Sequence, residues 1–151
     1  MYDSMDFTGI IFAICGAVGI FMVLLWVLHS IMLSRLAKAA GCAYPWAAWV
    51  PIGMIPLAVW IVSMELAAPV GRDIKKVWLM AFLMFIPLVN AFAMIVLLIY
   101  FFGNMSNFCR EFGKSMLLNL ILIMLLPGIG NIIVINGMRK AVEEMLPATD
   151  I

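Results

Sequence analysis

Long runs of apolar residues, separated by short polar stretches, dominate this chain. Four such runs, none of which contains Asp, Glu, Lys or Arg, occupy residues 8–33, 46–64, 77–102 and 116–138. A helix rises about 1.5 Å per residue and needs about 20 apolar residues to cross the hydrocarbon core of a bilayer. The pattern therefore predicts an all-α fold, an integral membrane helical bundle with four hydrophobic segments.

The third run is predicted to be the central helix of this bundle. Pro87 and Asn90 lie near its middle. Proline removes a backbone donor and crowds the carbonyl four residues before it, which predicts a kink. An asparagine side chain at membrane depth has no water to bind, so Asn90 is expected to form a hydrogen bond with a neighbouring helix.

The second run, residues 46–64, is the least regular of the four. Pro51, Gly53 and Pro56 crowd its first half, and Glu65 closes it. Two interpretations remain open, because irregular backbone survives at membrane depth only where protein shields it from lipid. The segment is either a kinked helix that spans the membrane or a re-entrant segment.

Basic residues between the runs bear on orientation, because they collect on the cytoplasmic side of membrane proteins. If all four runs cross, four basic residues lie on one side and five on the other. If the second run re-enters, the division is seven against two and the N-terminus lies outside. The arrangements that the charges favour differ on the N-terminus but agree on a cytoplasmic C-terminus.

Small and polar residues within the runs are candidates for helix contacts. Gly9, Ala13 and Gly16 recur at helical spacing and predict a seam where a neighbouring backbone can approach closely. The candidate intramembrane polar contacts are Asn90, Asn119, Asn131 and His29. Asn90 and Asn131 each follow a proline within four residues, so they either join helices or line a polar site between two broken helices.

Two shorter patterns lie outside this scheme. Met105, Phe108, Cys109 and Phe112 recur at i, i+3, i+4 and i+7, which predicts a short amphipathic helix in the membrane interface. A faint internal repeat pairs Leu36-Ala37-Lys38-x-x-Gly41 with Phe108-Cys109-Arg110-x-x-Gly113, and a proline-broken apolar run follows each. The repeat is typical of a two-helix unit that occurs twice in parallel.

Composition supports the membrane assignment and excludes several functions. Apolar residues make up 67% of the 151 residues and charged ones 11%, and the mean hydropathy is +1.19. A soluble domain, by contrast, is about half apolar and a quarter charged. The length of the chain accommodates a single domain, residues 1–151. The net charge of +1 gives no electrostatic reason to expect a nucleic-acid partner.

Catalytic motifs are missing from the sequence. Hydrolysis within a membrane needs paired aspartates, a nucleophile with an activating base, or a metal motif such as H-E-x-x-H. The chain has none of these, and its three cysteines show no metal-ligand spacing. We therefore predict that the protein is not an enzyme and has no cofactor or metal site.

Several motifs in order resemble a known family. They are Lys38-Ala39-Ala40-Gly41, Pro45-Trp46-Ala47-Ala48 with Pro51, Ile86-Pro87-Leu88-Val89-Asn90, Phe112-Gly113-Lys114-Ser115 and Leu126-Pro127. Over about residues 35 to 131 the chain resembles a family of small bacterial polytopic integral membrane proteins, a domain of unknown function sometimes found beside signal peptidase sequences. The resemblance implies a bacterial inner-membrane location and no mechanism.

These observations predict a non-catalytic integral membrane subunit or scaffold. Its partners would be the lipid bilayer and either other membrane subunits or further copies of the same chain. The alternative is a homo-oligomeric channel or small-solute pathway lined by the mid-membrane asparagines. The expected location is the inner (cytoplasmic) membrane, crossed several times.

Overall fold

The computed structural model describes residues 7–68 and 74–145, and every regular element in these ranges is a helix. The α-helices are α1 (Phe7–Ala39), α2 (Met54–Ala67), α3 (Ile74–Leu83), α4 (Pro87–Glu111), α5 (Met116–Leu125) and α6 (Ile129–Met145), and a 3-10 helix (Pro45–Trp49) lies between α1 and α2. The prediction of an all-α fold is confirmed for the described residues.

Two described helices, not four, are long and apolar enough to cross a membrane: Thr8–Ala39 and Pro87–Glu111. The prediction left open whether the second of the four hydrophobic segments crosses the membrane; in the structure the second, third and fourth segments are all interrupted, so none of the three forms one continuous helix. The second run is divided into the 3-10 helix and α2, the third into α3 and α4, and the fourth into α5 and α6. Only the first run forms one continuous helix.

Proline and glycine account for these interruptions. Pro87 opens α4, and the residue before it, Ile86, has extended backbone angles of φ −93° and ψ 111°. A residue before proline is forced out of the helical region, so the predicted kink is a complete break. In the fourth run, Gly128 follows Pro127 and has a φ of +92°, which ends α5 in a turn.

The α5–α6 pair is a tight hairpin that lies beside α1. A Cβ built on Gly130 would overlap the carbonyl oxygen of Leu122, so the chain reverses direction and the two helices meet closely at the turn. Gly128, at the same turn, lies against the side chain of Leu25. All residues of α1 from 8 to 24 are exposed, so α6 must run along the second half of α1 towards its C-terminal end.

The core lies around α2, which packs on both α1 and α4. Its residues 58–65 are all buried. The row formed by Met105, Phe108, Cys109 and Phe112 is buried as well, because it belongs to the last turns of α4 and its C-cap. The apolar face predicted there is real, but it packs on the core and does not form a separate interfacial helix.

The internal repeat has a structural counterpart in two matching helix ends. Gly41 after α1 and Gly113 after α4 both have positive φ, +75° and +62°. The N–H of Cys42 donates to the carbonyl of Ala37, and the N–H of Lys114 donates to the carbonyl of Cys109. The donor–acceptor distance is 2.8 Å in both hydrogen bonds. Both ends are therefore Schellman caps at equivalent positions of the repeat.

Packing between helices follows the same repeat. The long helix of the first unit, α1, packs on the last helix of the second, α6. The long helix of the second unit, α4, packs on the last helix of the first, α2. This reciprocal arrangement agrees with a unit repeated in parallel, in which α3 is an additional helix.

Replacing Gly113 with alanine should destabilise the protein. A Cβ raises the energy of a left-handed residue by about 1–2 kcal/mol, although space is open around Gly113. We expect this loss in the free energy of unfolding of the purified protein in detergent, followed by circular dichroism. Gly53→Ala is the matched control, because Gly53 has a φ of −47° and open space. Equal stability of both variants would contradict the role of the cap.

Candidate functional site

A buried polar pair joins α2 to α4. The side chains of Glu65 and Asn104 are only 3% and 1% exposed. Asn104 Nδ2 donates to the backbone carbonyl of Ile61 at 3.1 Å and to Glu65 Oε2 at 3.4 Å. Buried polar groups in an apolar bundle are strongly directional contacts, so this pair sets the register of α2 against α4.

Aromatic rings continue this contact across the bundle. Trp60 of α2 packs edge-on against Phe101 of α4, with 5.0 Å between ring centroids. On its other side Trp60 meets His29 of α1, with 6.3 Å between centroids. His29 is half-buried in this contact. The structure thus places the predicted polar residue His29 against an aromatic ring of the core.

The predicted asparagines lie on three different helices. Asn90 is exposed on α4, whereas Asn119 on α5 and Asn131 on α6 are half-buried. Asn119 Nδ2 donates to Cys109 Sγ at 3.5 Å, and Asn131 Oδ1 is buried without a hydrogen-bond partner in the described part of the chain. No hydrogen bond joins any two of these asparagines across residues 7–68 and 74–145, so one copy of the chain does not assemble them into a site.

The predicted small-residue seam faces away from the rest of the protein. Gly9, Ala13 and Gly16 are all exposed on the first half of α1. A Cβ built on Gly16 would meet nothing within 4 Å. No described helix packs on this seam.

Basic residues gather at one end of the bundle, where the first half of α1 does not reach. Arg35 and Lys38 lie in the last turns of α1. The ring of Tyr44, in the loop that follows, packs on Trp78 of α3 with 6.2 Å between centroids. This contact brings the first turn of α3, with Lys75 and Lys76, to the same end.

The hairpin of α5 and α6 places the remaining basic residues there. Because α6 runs towards the C-terminal end of α1, Arg139 and Lys140 lie at this end. Helix α5 runs back along α6, so its beginning, with Lys114 just before it, lies there too. The basic end, as we call it, holds every basic residue that the structure describes: Arg35, Lys38, Lys75, Lys76, Arg110, Lys114, Arg139 and Lys140.

Sequence reasoning missed both the basic end and the buried pair. The sequence pattern divides the basic residues between the two sides of the membrane, because it treats each apolar run as one piece that either crosses or re-enters. Glu65 directly follows an apolar run, where a charged residue predicts the end of the segment. The spacing Phe101, Asn104, Met105, Phe108 was the available signal for Asn104, since it places the asparagine in the buried row of α4.

The described residues contain no group of three or more His, Cys, Asp and Glu side chains that could hold a metal ion. Comparison of the chain with protein-family models, with curated proteins and with solved structures finds no match in any of the three.

Proposed function

We propose that the protein is a non-catalytic subunit or scaffold embedded in the inner membrane of a bacterium. The observation that supports this most is the first half of α1, where residues 8–24 are uncharged and exposed on every side. Exposed apolar surface of this extent is unfavourable in water and is expected to be covered by lipid or by another protein. The bacterial location follows from the family resemblance.

The basic end defines the orientation in this proposal. Positive charge collects in the cytoplasm, so the basic end and the end of α6 lie there. Helix α1 then crosses to the other side. Helix α2 has 14 residues and spans about 21 Å, which is short of a core of about 30 Å. The second run is accordingly proposed to re-enter from the cytoplasmic side.

Cysteine labelling tests this orientation. In a background without the native cysteines, Lys140→Cys should react with a membrane-impermeant maleimide only in inside-out vesicles. Thr8→Cys, at the opposite end of α1, should react only in intact spheroplasts. The reverse pattern, or labelling of both positions from one side, would contradict the proposed orientation.

Native mass spectrometry of protein extracted with lipid from its own membrane tests the subunit proposal. An assembly with another membrane protein, or with further copies, is the expected result. A monomer with nothing co-purified would contradict it.

The channel remains the second candidate, since Asn90 is exposed on α4 beside the exposed apolar residues Leu88 and Phe92. A polar side chain in that position suits contact with another copy. A closed ring of this chain and a solute flux in proteoliposomes that falls with Asn90→Leu would favour the channel. No flux from correctly inserted protein would exclude it.

A further inference from the structure

The two Schellman caps belong to two equivalent segments at the basic end, which we call the twin turns: residues 36–46 and 108–118. Lys38 and Arg110 occupy the same position in each, three residues before the capping glycine. Both side chains are exposed, and neither forms a salt bridge within the described residues. The first turn therefore presents Lys38, and the second presents Arg110 together with the exposed Lys114, without a salt bridge to a described acidic residue.

Each twin turn also presents a large exposed apolar side chain, the same number of residues after its cation in the sequence. Trp46 lies eight residues after Lys38 and is 66% exposed. Leu118 lies eight residues after Arg110 and is 58% exposed. A cation and an exposed apolar side chain therefore recur together at equivalent positions of the repeat.

This combination matches the chemistry of an anionic phospholipid. A lysine or arginine donates charge-assisted hydrogen bonds to phosphate oxygens. Tryptophan and other apolar side chains at the membrane boundary contact the glycerol region and the acyl chains. An acidic protein would satisfy the cations but would leave Trp46 and Leu118 exposed, so the lipid fits both features.

Charge at the basic end supports the same ligand. The exposed acidic side chains in the described residues are Glu111, Glu143 and Glu144, because Glu65 is buried, and eight basic residues lie at the basic end. Glu143 is engaged by Arg139 at 3.5 Å. The excess of positive charge attracts the anionic lipids of the cytoplasmic leaflet, whereas zwitterionic lipids gain little from it.

We propose that each twin turn binds the headgroup of one anionic phospholipid through Lys38 or Arg110, with Trp46 or Leu118 against the lipid chains. The inference rests on the proposed membrane location. Lys38 and Arg110 also complement the helix dipoles at the ends of α1 and α4, so a test must separate lipid binding from stability.

The test measures binding of phosphatidylglycerol to the full-length protein in phosphatidylcholine nanodiscs, by native mass spectrometry across a titration. A cation in contact with an anionic headgroup contributes about fivefold in affinity. Lys38→Gln should weaken the binding of one of the two lipids about fivefold, Arg110→Gln should weaken that of the other about fivefold, and the double variant should weaken both. Lys38→Arg, which keeps the positive charge, should leave binding at the turn of residues 36–46 unchanged.

The matched control is the double variant Lys76→Gln and Lys140→Gln, which removes the same charge from the same end but outside the twin turns. We expect it to weaken binding less than about twofold, because these cations are not at the binding position. An equal loss in both double variants would overturn the proposal in favour of general charge attraction. Equal binding of phosphatidylcholine would overturn it as well.

Failure of this inference is distinguishable from failure of the membrane proposal. Flotation of the protein with vesicles of phosphatidylcholine alone reports insertion without anionic lipid. Protein that floats but shows no preference for phosphatidylglycerol would overturn the twin-turn site only. Protein that does not float would overturn the membrane location and the twin-turn site together.

Discussion

Replacing Gly130 with alanine is expected to destabilise the protein by about 3 kcal/mol, at the upper end of the range for overpacking. The added Cβ would overlap the backbone carbonyl oxygen of Leu122, and a backbone atom cannot rotate away as a flexible side chain can. The helices of the α5–α6 hairpin would have to move apart. Because α6 covers the second half of α1, this movement would disturb the core as well.

Unfolding of the purified protein in detergent, followed by circular dichroism, measures this effect. Gly137→Ala is the control, since Gly137 lies in the same helix and a Cβ there would meet nothing within 4 Å. Alanine in an open helical position gains up to about 1 kcal/mol over glycine, so the control should be neutral or stabilising. Similar stability of the Gly130 and Gly137 variants would contradict the close contact between Gly130 and the Leu122 carbonyl.

The second large effect is expected at Asn104. The substitution Asn104→Leu removes the amide that donates to the Ile61 carbonyl and to the Glu65 carboxylate, both in the buried interior. Loss of a partner from a buried polar group destabilises a protein by about 1–3 kcal/mol, and by more when the group is charged. Thermal unfolding should report this loss, while Ser106→Ala, at an exposed position of the same helix, should change stability by less than about 0.5 kcal/mol.

A double-mutant cycle separates the pair from its surroundings. Glu65→Leu should be less destabilising in the Asn104→Leu protein than in the original protein, because the hydrogen bond is already lost there. Additive losses would show that the two side chains do not depend on each other. They would then be independent features of the core.

Local properties of the sequence were sufficient to predict some elements of the fold. The first run, residues 8–33, contains no proline, and it forms a single helix as predicted. The helix continues to Ala39 because the polar residues after the run are also compatible with helix. Its end at a glycine with positive φ agrees with the internal repeat that the sequence indicates.

The consequences of proline were predicted only in part. A kink was expected at Pro87, because proline is known to disturb the helix that contains it. Whether the chain bends slightly or starts a new helix depends on what packs on either side. The sequence pattern around residues 83–87 does not contain that information, and the same holds for the turn at Pro127 and Gly128.

The buried pair could not be predicted for a related reason. A charged residue at the end of an apolar run normally marks the point where the chain leaves the membrane or the core. Glu65 is buried only because α4 supplies Asn104, which is 39 residues further along the chain. Such a pairing follows from tertiary packing, and one sequence alone does not specify it.

The packing of α1 on α6 also has a consequence for synthesis on the ribosome. The buried side chains in the second half of α1, such as Leu33 and Leu36, are made before α6, which is the last described helix to emerge. Contacts between segments far apart in sequence form late, and the surfaces awaiting them are open to aggregation in the meantime. Nascent chains that stop before α6 should therefore be preferred targets of chaperones and proteases.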